Sequence, residues 1–434
     1  MPTKLNWNAL TDAEKTAALA RSVGSNNDVT DAMKVIVRDV QQNGNEAVAR
    51  YAAKFDNYTG PIAPIPVEQL KQAADALSPD LRTALETAIK NLTAFHTAQK
   101  PTPVKVETMK GVQCEMVWRP IERVGLYVPA GTAPLFSAVL MLSLPATLAG
   151  CQTRILCTPP RKDGTVDPST LAAAYLCGIT QVFPIGGPWS IAAMAYGTET
   201  LPKVDKILGP GNSYVTAAKM IVSQDAAGAA IDMPAGPSEV MVIADDAANP
   251  AWVAADLLAQ AEHGTDSQAL LLSDSQALID AVAVEIEKQT TQLSRADLIN
   301  QSLELCRLIL VNDLGDAVIV ANRYAPEHLI IQGAPDAAWP TAMVPAIQNA
   351  GSVFVGAFSP ETAGDYASGT NHVLPTYALA RAYGGLCLLS FMRNMTVQTL
   401  TREGLTALAP TLTAMAAAEG LDAHGNAVKV RMGV

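Results

Sequence analysis

Four short stretches hold the side chains whose types and spacing could do chemistry. Gln260 and His263 stand three apart, so on a helix an amide oxygen and an imidazole nitrogen share one side of a turn, while Glu262 points elsewhere. If that turn ends its helix, its partial negative charge favours a cation and the pair is half of a metal site. A capping histidine beside a surface glutamine is the plain alternative. In Tyr324-Ala325-Pro326-Glu327-His328 a carboxylate and an imidazole are neighbours. Histidine titrates near neutral pH, which makes Glu327 and His328 a candidate acid–base pair; a solvated loop before a strand is the other reading. Residues 364–372 are polar, rich in small residues and too long for a plain turn, and offer Asp365 as a carboxylate ligand and His372 as a donor. Glu419 and His424 lie near the C-terminus, where a surface tail is the default. Of the five histidines, only His96 falls outside these stretches, on a helix where it is structural or surface. Each patch also carries a carboxylate or an amide, which favours one polar site assembled from several of them.

The surrounding pattern says which elements position these groups. Asn249 suits an N-cap, Pro250 a first helical position and Gly264 a helix stop, so residues 249–263 form a helix with Gln260 and His263 in its last turn. Trp252, Val253, Leu257 and Leu258 give it an apolar docking face. Pro326 ends any preceding helix and leaves Glu327 and His328 at the entrance of the apolar run 329–331. Residues 1–105 read as mostly helical, over 28–54 and 66–100. Two alternating segments, 104–109 and 112–118, flank Lys110-Gly111 as a hairpin. From residue 124 to 272 short apolar strands alternate with helices, which indicates a parallel, doubly wound α/β sheet. A helix, glycine turn and apolar strand recur at 144–159 and 257–274, an echo consistent with two such units. Ligands in such folds sit at the C-terminal ends of strands. Three turns there, Pro129-Ala130-Gly131-Thr132, Gly186-Gly187-Pro188 and Gly209-Pro210-Gly211-Asn212, lead from strand to helix and could offer bare N–H groups to a phosphate. None is a complete G-x-G-x-x-G and no acid is spaced as a ribose partner, so dinucleotide binding and simple tight turns both stay open.

Size and composition bound the rest. A chain of 434 residues is expected to form two or more domains. With 16% charged and 49% apolar residues it is a well-buried globular protein. A net charge of −11 argues against nucleic acid or an anionic membrane as partner. Residues 1–21 lack the apolar stretch of a signal peptide, and the uncharged segment between Arg123 and Arg154 is interrupted by Pro129, Pro134 and Pro145. The six cysteines form no C-x-x-C pair and read as buried free thiols in a reducing compartment; a nucleophilic Cys is the alternative, but no adjacent His or Glu clearly supports one. A soluble, cytoplasmic protein is expected.

Longer motifs carry a resemblance. Residues 231–239 (Ile-Asp-Met-Pro-Ala-Gly-Pro-Ser-Glu) followed by Gln260-Ala261-Glu262-His263 are similar to the signature of histidinol dehydrogenases. Glu-Arg-Val-Gly-Leu-Tyr at 122–127, Gly209-Pro210-Gly211-Asn212, Pro326-Glu327-His328 and Ser368-Gly369-Thr370-Asn371-His372 fit the same family in the same order. The likeness covers nearly the whole chain and is weakest before about residue 110.

The resemblance implies two incomplete Rossmann-like, doubly wound α/β domains with small flanking elements. Residues 1–22 would be a helical arm, 23–126 with 240–385 a first domain carrying metal and catalytic residues, 127–239 a second on the NAD side, and 386–434 an element reaching a partner subunit. It implies a zinc-dependent homodimer that oxidises L-histidinol through L-histidinaldehyde to L-histidine with two NAD. Gln260, His263, Asp365 and His424 would hold zinc, with His424 and Glu419 supplied by the partner subunit. Ser238, His328, Glu419 and His372 would contact substrate together with the zinc ligands, and Tyr127 and Asn212 would contact NAD. Trp189 stands where the family has a glutamine NAD contact, and its ring could stack on the cofactor instead. The residue types suit the chemistry. His328 is placed to withdraw the alcohol proton, and Glu327 to activate the water that adds to the aldehyde. Two other readings remain: a relative acting on another small alcohol such as a sulfonated propanediol, against which the charge of Glu419 argues, and a small-molecule binding protein without catalysis.

Overall fold

The structure, a computed structural model, describes residues 2–21, 26–130, 134–234 and 236–433. Part of the turn 129–132, Ala235 in the motif 231–239 and the expected boundary at residue 22 lie outside the described residues.

The chain opens with β1 (Thr3–Asn6) and α1 (Asp12–Ala18), then α2 (Asn26–Phe55), α3 (Val67–Asp75) and α4 (Pro79–Ala98). The hairpin β2 (Val104–Met109) and β3 (Val112–Pro120) follows. A first alternation runs β4 (Arg123–Tyr127), α5 (Phe136–Ala149), β5 (Thr153–Cys157), α6 (Pro168–Leu176), β6 (Gln181–Phe183), α7 (Gly187–Tyr196), β7 (Lys206–Leu208), α8 (Ser213–Gln224) and β8 (Ala230–Ile231). A second runs β9 (Glu239–Ala244), α9 (Pro250–Ala261), β10 (Gln268–Ser273), α10 (Gln276–Thr290), α11 (Ala296–Ser302), β11 (Arg307–Leu310) and α12 (Leu314–Tyr324). It continues through β12 (His328–Gln332), α13 (Trp339–Met343), β13 (Ser352–Val355) and α14 (Glu361–Tyr366). The chain closes with β14 (Met392–Leu400), α15 (Arg402–Ala418) and α16 (Asp422–Met432).

Each alternation builds one parallel sheet, in the orders β6-β5-β4-β7-β8 and β1-β11-β10-β9-β12-β13. Numbered within its own alternation, each sheet has the order 3-2-1-4-5, a Rossmann sheet short of its last strand, with β1 added to the edge of the second. Both sheets are covered on both faces, so their central strands are apolar throughout. In β9, Val240, Val242 and Ala244 pack under α9 and α10, while Met241 and Ile243 face α12. The third sheet, β14-β3-β2, is antiparallel, and its hairpin is the expected one. Among the described residues no helix is long and apolar enough to cross a membrane. All six cysteines are free; Cys151, Cys157, Cys177 and Cys306 are buried, and Cys114 and Cys387 only partly so.

Two expectations about domains are corrected. Residues 26–98 belong with the five-stranded sheet: α2 packs on α7 and α8, α3 on α6, and α4 on α5. Val37, Val40 and Val48 enter one core of that unit, and Leu70, Leu85 and Leu92 the other. A boundary after residue 126 would also cut β4, the middle strand of the sheet. Helical periodicity shows that a face is buried, not against which sheet. The N-terminal arm is likewise not simply helical, because β1 pairs along β11 from Thr3 to Asn6.

Candidate active site

Residues 232–238 carry the chain from the C-terminal edge of the five-stranded sheet to the N-terminal edge of the six-stranded one. Seven residues span at most about 25 Å, which holds the two edges near each other. The glycine turns after β6 and β7 lie at C-terminal strand ends, as expected. The stretches expected to carry substrate and acid–base residues do not: Ser238 leads into β9 and His328 begins β12, both at N-terminal ends.

The acid–base pair is built against the start of β9. The Glu239 N–H donates to Glu327 Oε2 at 2.9 Å, and the Glu239 carbonyl lies 3.3 Å from His328 Nδ1. Glu361 Oε1 is 3.4 Å from the same nitrogen and Glu327 Oε2 3.9 Å. A carbonyl can only accept, so Nδ1 carries the proton and Nε2 is the basic nitrogen. Nε2 has no hydrogen-bond partner among the described residues and sits 3.7 Å from Asp365 Oδ1. Burial pushes the His328 imidazole down to about 3, which keeps the ring neutral. Burial raises Glu327 well above the carboxylate range, opposed by the Glu239 N–H and reinforced by Glu239 and Asp365.

Beside this pair lies a cluster fit for a cation. His263, Glu361 and Asp365 each bring one ligand atom within 4.8 Å of the others. Glu361 and Asp365 are four apart on α14, hence on one face, and α14 packs on α9. Asn249 caps α9 through the Ala251 N–H with Pro250 in its first turn, so Gln260 falls at the negative end of the helix. Gln260 is wholly buried, yet neither its amide oxygen nor its nitrogen has a partner among the described residues. Leaving such a group unpaired costs about 1–3 kcal/mol, which a bound ligand would offset. Burial lifts Asp365 to about 7; burial, Asp365 and Glu327 raise Glu361. Neutral imidazole, amide oxygen and several carboxylates form a mixed N/O donor set suited to zinc.

The other anticipated residues divide. His372 reaches across to the other unit, its Nε2 3.2 Å from Ser137 Oγ on α5. Ser238 stands one residue before Glu239, and its carbonyl accepts from the Gln268 N–H. Glu419 and His424 are exposed on the C-terminal helices and do not join the cluster within one chain. His96 is buried, bonding the Leu92 carbonyl at 2.9 Å, and is structural.

Of the residues expected at NAD, Asn212 is exposed and caps α8, accepting from the Val215 N–H at 3.1 Å. Tyr127 is buried at the end of β4, and its hydroxyl accepts from the Gly187 N–H at 3.2 Å. Trp189 is turned inward. Its ring is buried and stacks on Phe55, with centroids 5.4 Å apart, and beside Tyr51, so the protein itself supplies the stacking partner.

Sequence reasoning missed Glu361, Glu239 and Arg21. The spacing of Glu361 to Asp365 was readable, but only burial against His328 marks it. Nothing in the sequence links Arg21 to Glu239, 218 positions away.

A family model for histidinol dehydrogenase matches residues 19–432. The histidinol dehydrogenase of Xanthomonas euvesicatoria pv. vesicatoria is 52% identical over 431 residues, covering 99% of both chains. That of Escherichia coli K12 is 49% identical over 431 residues, covering 99% of this chain and 98% of its own. The crystal structure of histidinol dehydrogenase from Elizabethkingia anophelis superposes with a TM-score of 0.94 at 43% identity, over 100% of this chain and 98% of that one.

Proposed function

The chain belongs to the histidinol dehydrogenase family, an oxidoreductase family, and from that premise we propose that it oxidises L-histidinol through L-histidinaldehyde to L-histidine, closing histidine biosynthesis. The observation that carries this reading is the buried Glu327–His328 pair set against the His263, Glu361 and Asp365 cluster, together with a buried Gln260 amide that has no partner among the described residues.

Each oxidation removes a hydride from carbon and a proton from oxygen. His328 Nε2, neutral and unpartnered, takes the alcohol proton, while the Glu239 carbonyl fixes the tautomer that makes this nitrogen the base. The Glu239 N–H holds Glu327 and opposes the upward shift of its carboxyl, and in its ionised form its other oxygen can take a proton from water adding to the aldehyde. As water adds, the protonated His328 returns its proton to the aldehyde oxygen, and the neutral ring then serves again as base toward the hydrate. The 209–212 turn with Tyr127 and Asn212 would hold NAD, which would supply the hydride acceptor for both oxidations. Gln260, His263, Asp365 and His424 of the partner subunit would hold zinc, which would supply fixed positive charge to orient the substrate's imidazole and amine. Ser238, His372 and Glu419 of the partner subunit complete the substrate contacts. The working form in this reading is a cytoplasmic homodimer with shared sites.

The test is the NADH yield per L-histidinol at completion, with and without chelation. Two NADH, lost on chelation and restored by zinc, support the reading. One NADH removes the water-activating role of Glu327, and none removes the substrate.

A further inference from the structure

Gly209 opens the turn between β7 and α8 at φ +130°, and a Cβ there would strike the carbonyl oxygen of Tyr127. Glycine is therefore needed for the turn to lie against the end of β4. The same freedom leaves both flanking peptide groups able to rotate, and both are held. The Gly209 N–H donates to Asp232 Oδ2 at 2.8 Å, and its carbonyl accepts from Lys219 Nζ at 2.8 Å. Lys219 and Asp232 also pair with each other, their side chains 2% and 1% exposed. Opposite charges thus grip the two peptide planes on either side of one flexible residue.

Simple anchoring of α8 does not call for this pair. Val215, Ala218 and Val222 already bury that helix in the apolar core, and a buried ion pair is a weak source of stability compared with apolar packing. What the pair adds is orientation. Lys219 comes from α8, and Asp232 is the first residue of the connector that runs on to Ser238 and Glu239. The grip therefore ties the turn bearing Asn212 to the segment that enters the catalytic strand.

We propose that Lys219 and Asp232 are positioning residues for the dinucleotide: by clamping both peptide groups of Gly209 they hold the 209–212 turn in its nucleotide-receiving form, at a fixed place relative to β9. This rests on the assignment of NAD to that turn.

The deciding variant is K219M/D232N, which removes both charges so that no buried charge is left unpaired. NAD binding by calorimetry without substrate, KM for NAD, KM for histidinol, kcat at saturating NAD, zinc content and melting temperature are compared with the parent. The expected result is a Kd and KM for NAD raised about tenfold, the scale of one charge-assisted hydrogen bond, with KM for histidinol, kcat and zinc content within about twofold and the melting temperature within about 3 °C. K219M alone should move the NAD terms in the same direction. Unchanged NAD binding in K219M/D232N overturns the proposal. So does a loss spread evenly over both KM values, kcat and melting temperature, which is the mark of a merely structural pair. A parent that binds NAD but does not oxidise histidinol sinks the substrate reading and leaves the clamp to be judged on the Kd ratio. A parent that binds no NAD overturns both.

Discussion

The main chain of Glu239 addresses Glu327 directly, its N–H donating to the carboxylate at 2.9 Å, and its carbonyl lies 3.3 Å from His328 Nδ1. One residue of β9 thereby orients both members of the pair at the start of β12, next to the register contact of His328 with Val240. The Glu239 side chain is gripped in turn. Arg21 reaches its two oxygens at 2.5 and 2.8 Å, and the Tyr377 N–H donates to Oε1 at 2.9 Å. The guanidinium lies 3.8 Å from the centroid of the Tyr324 ring, so the N-terminal arm is tied to the strand that orients Glu327 and His328.

Replacing Arg21 by methionine leaves the Glu239 carboxylate, only 2% exposed, without its charge partner. Removing one member of a buried pair costs about 3–5 kcal/mol. Urea unfolding of Arg21→Met should show a loss of that size; a loss under about 1 kcal/mol would mean that the arm is not held by this pair.

His328→Asn and Glu327→Gln should separate the two oxidations. Without its base, His328→Asn is expected to lose about 10²–10⁴ in kcat with histidinol, with KM little changed. Glu327→Gln should fall most with histidinaldehyde as substrate. Parental aldehyde turnover in Glu327→Gln would remove the water-activating role from this residue.

Asp256, one turn before Gln260, accepts from Gln332 Nε2 at 2.8 Å, and burial lifts its carboxyl to about 7. Its folded-state value lies above the unfolded one, so the stability it contributes is complete below the ordinary value of 3.8 and is lost as pH rises through about 7. Asp256→Asn removes that loss while keeping an acceptor for Gln332. In chelator-treated protein the variant should match the parent near pH 4 and exceed it by about 2 kcal/mol at pH 8. A difference that does not change with pH would show that Asp256 does not titrate in this range.

Shared sites can be tested by mixing. His328→Asn and His424→Asn dimers should each be nearly inactive, and mixed dimers formed after subunit exchange contain one intact site. Recovery to about a quarter of parental activity is expected from random reassortment in a two-fold dimer. No recovery, with exchange verified by mass, would place His424 in the site of its own chain or outside any site.

Much of this protein is determined by local sequence. Period-two and period-3.6 patterns place the strands and helices because burial on one face or both is written into neighbouring residues. Asn249-Pro250 and Gly264 bracket the helix that delivers Gln260 and His263, and Pro326 puts His328 at a strand start, since caps and breakers act over a few bonds. The tertiary structure alone decided which sheet receives the N-terminal helices, because an apolar stripe carries no address. It alone turned Trp189 inward against Phe55, joined Arg21 to Glu239 across 218 positions, and set Lys219 and Asp232 on either side of Gly209. Buried charges and unpartnered amides reveal themselves only when distant segments exclude water together, and that exclusion belongs to the packed chain.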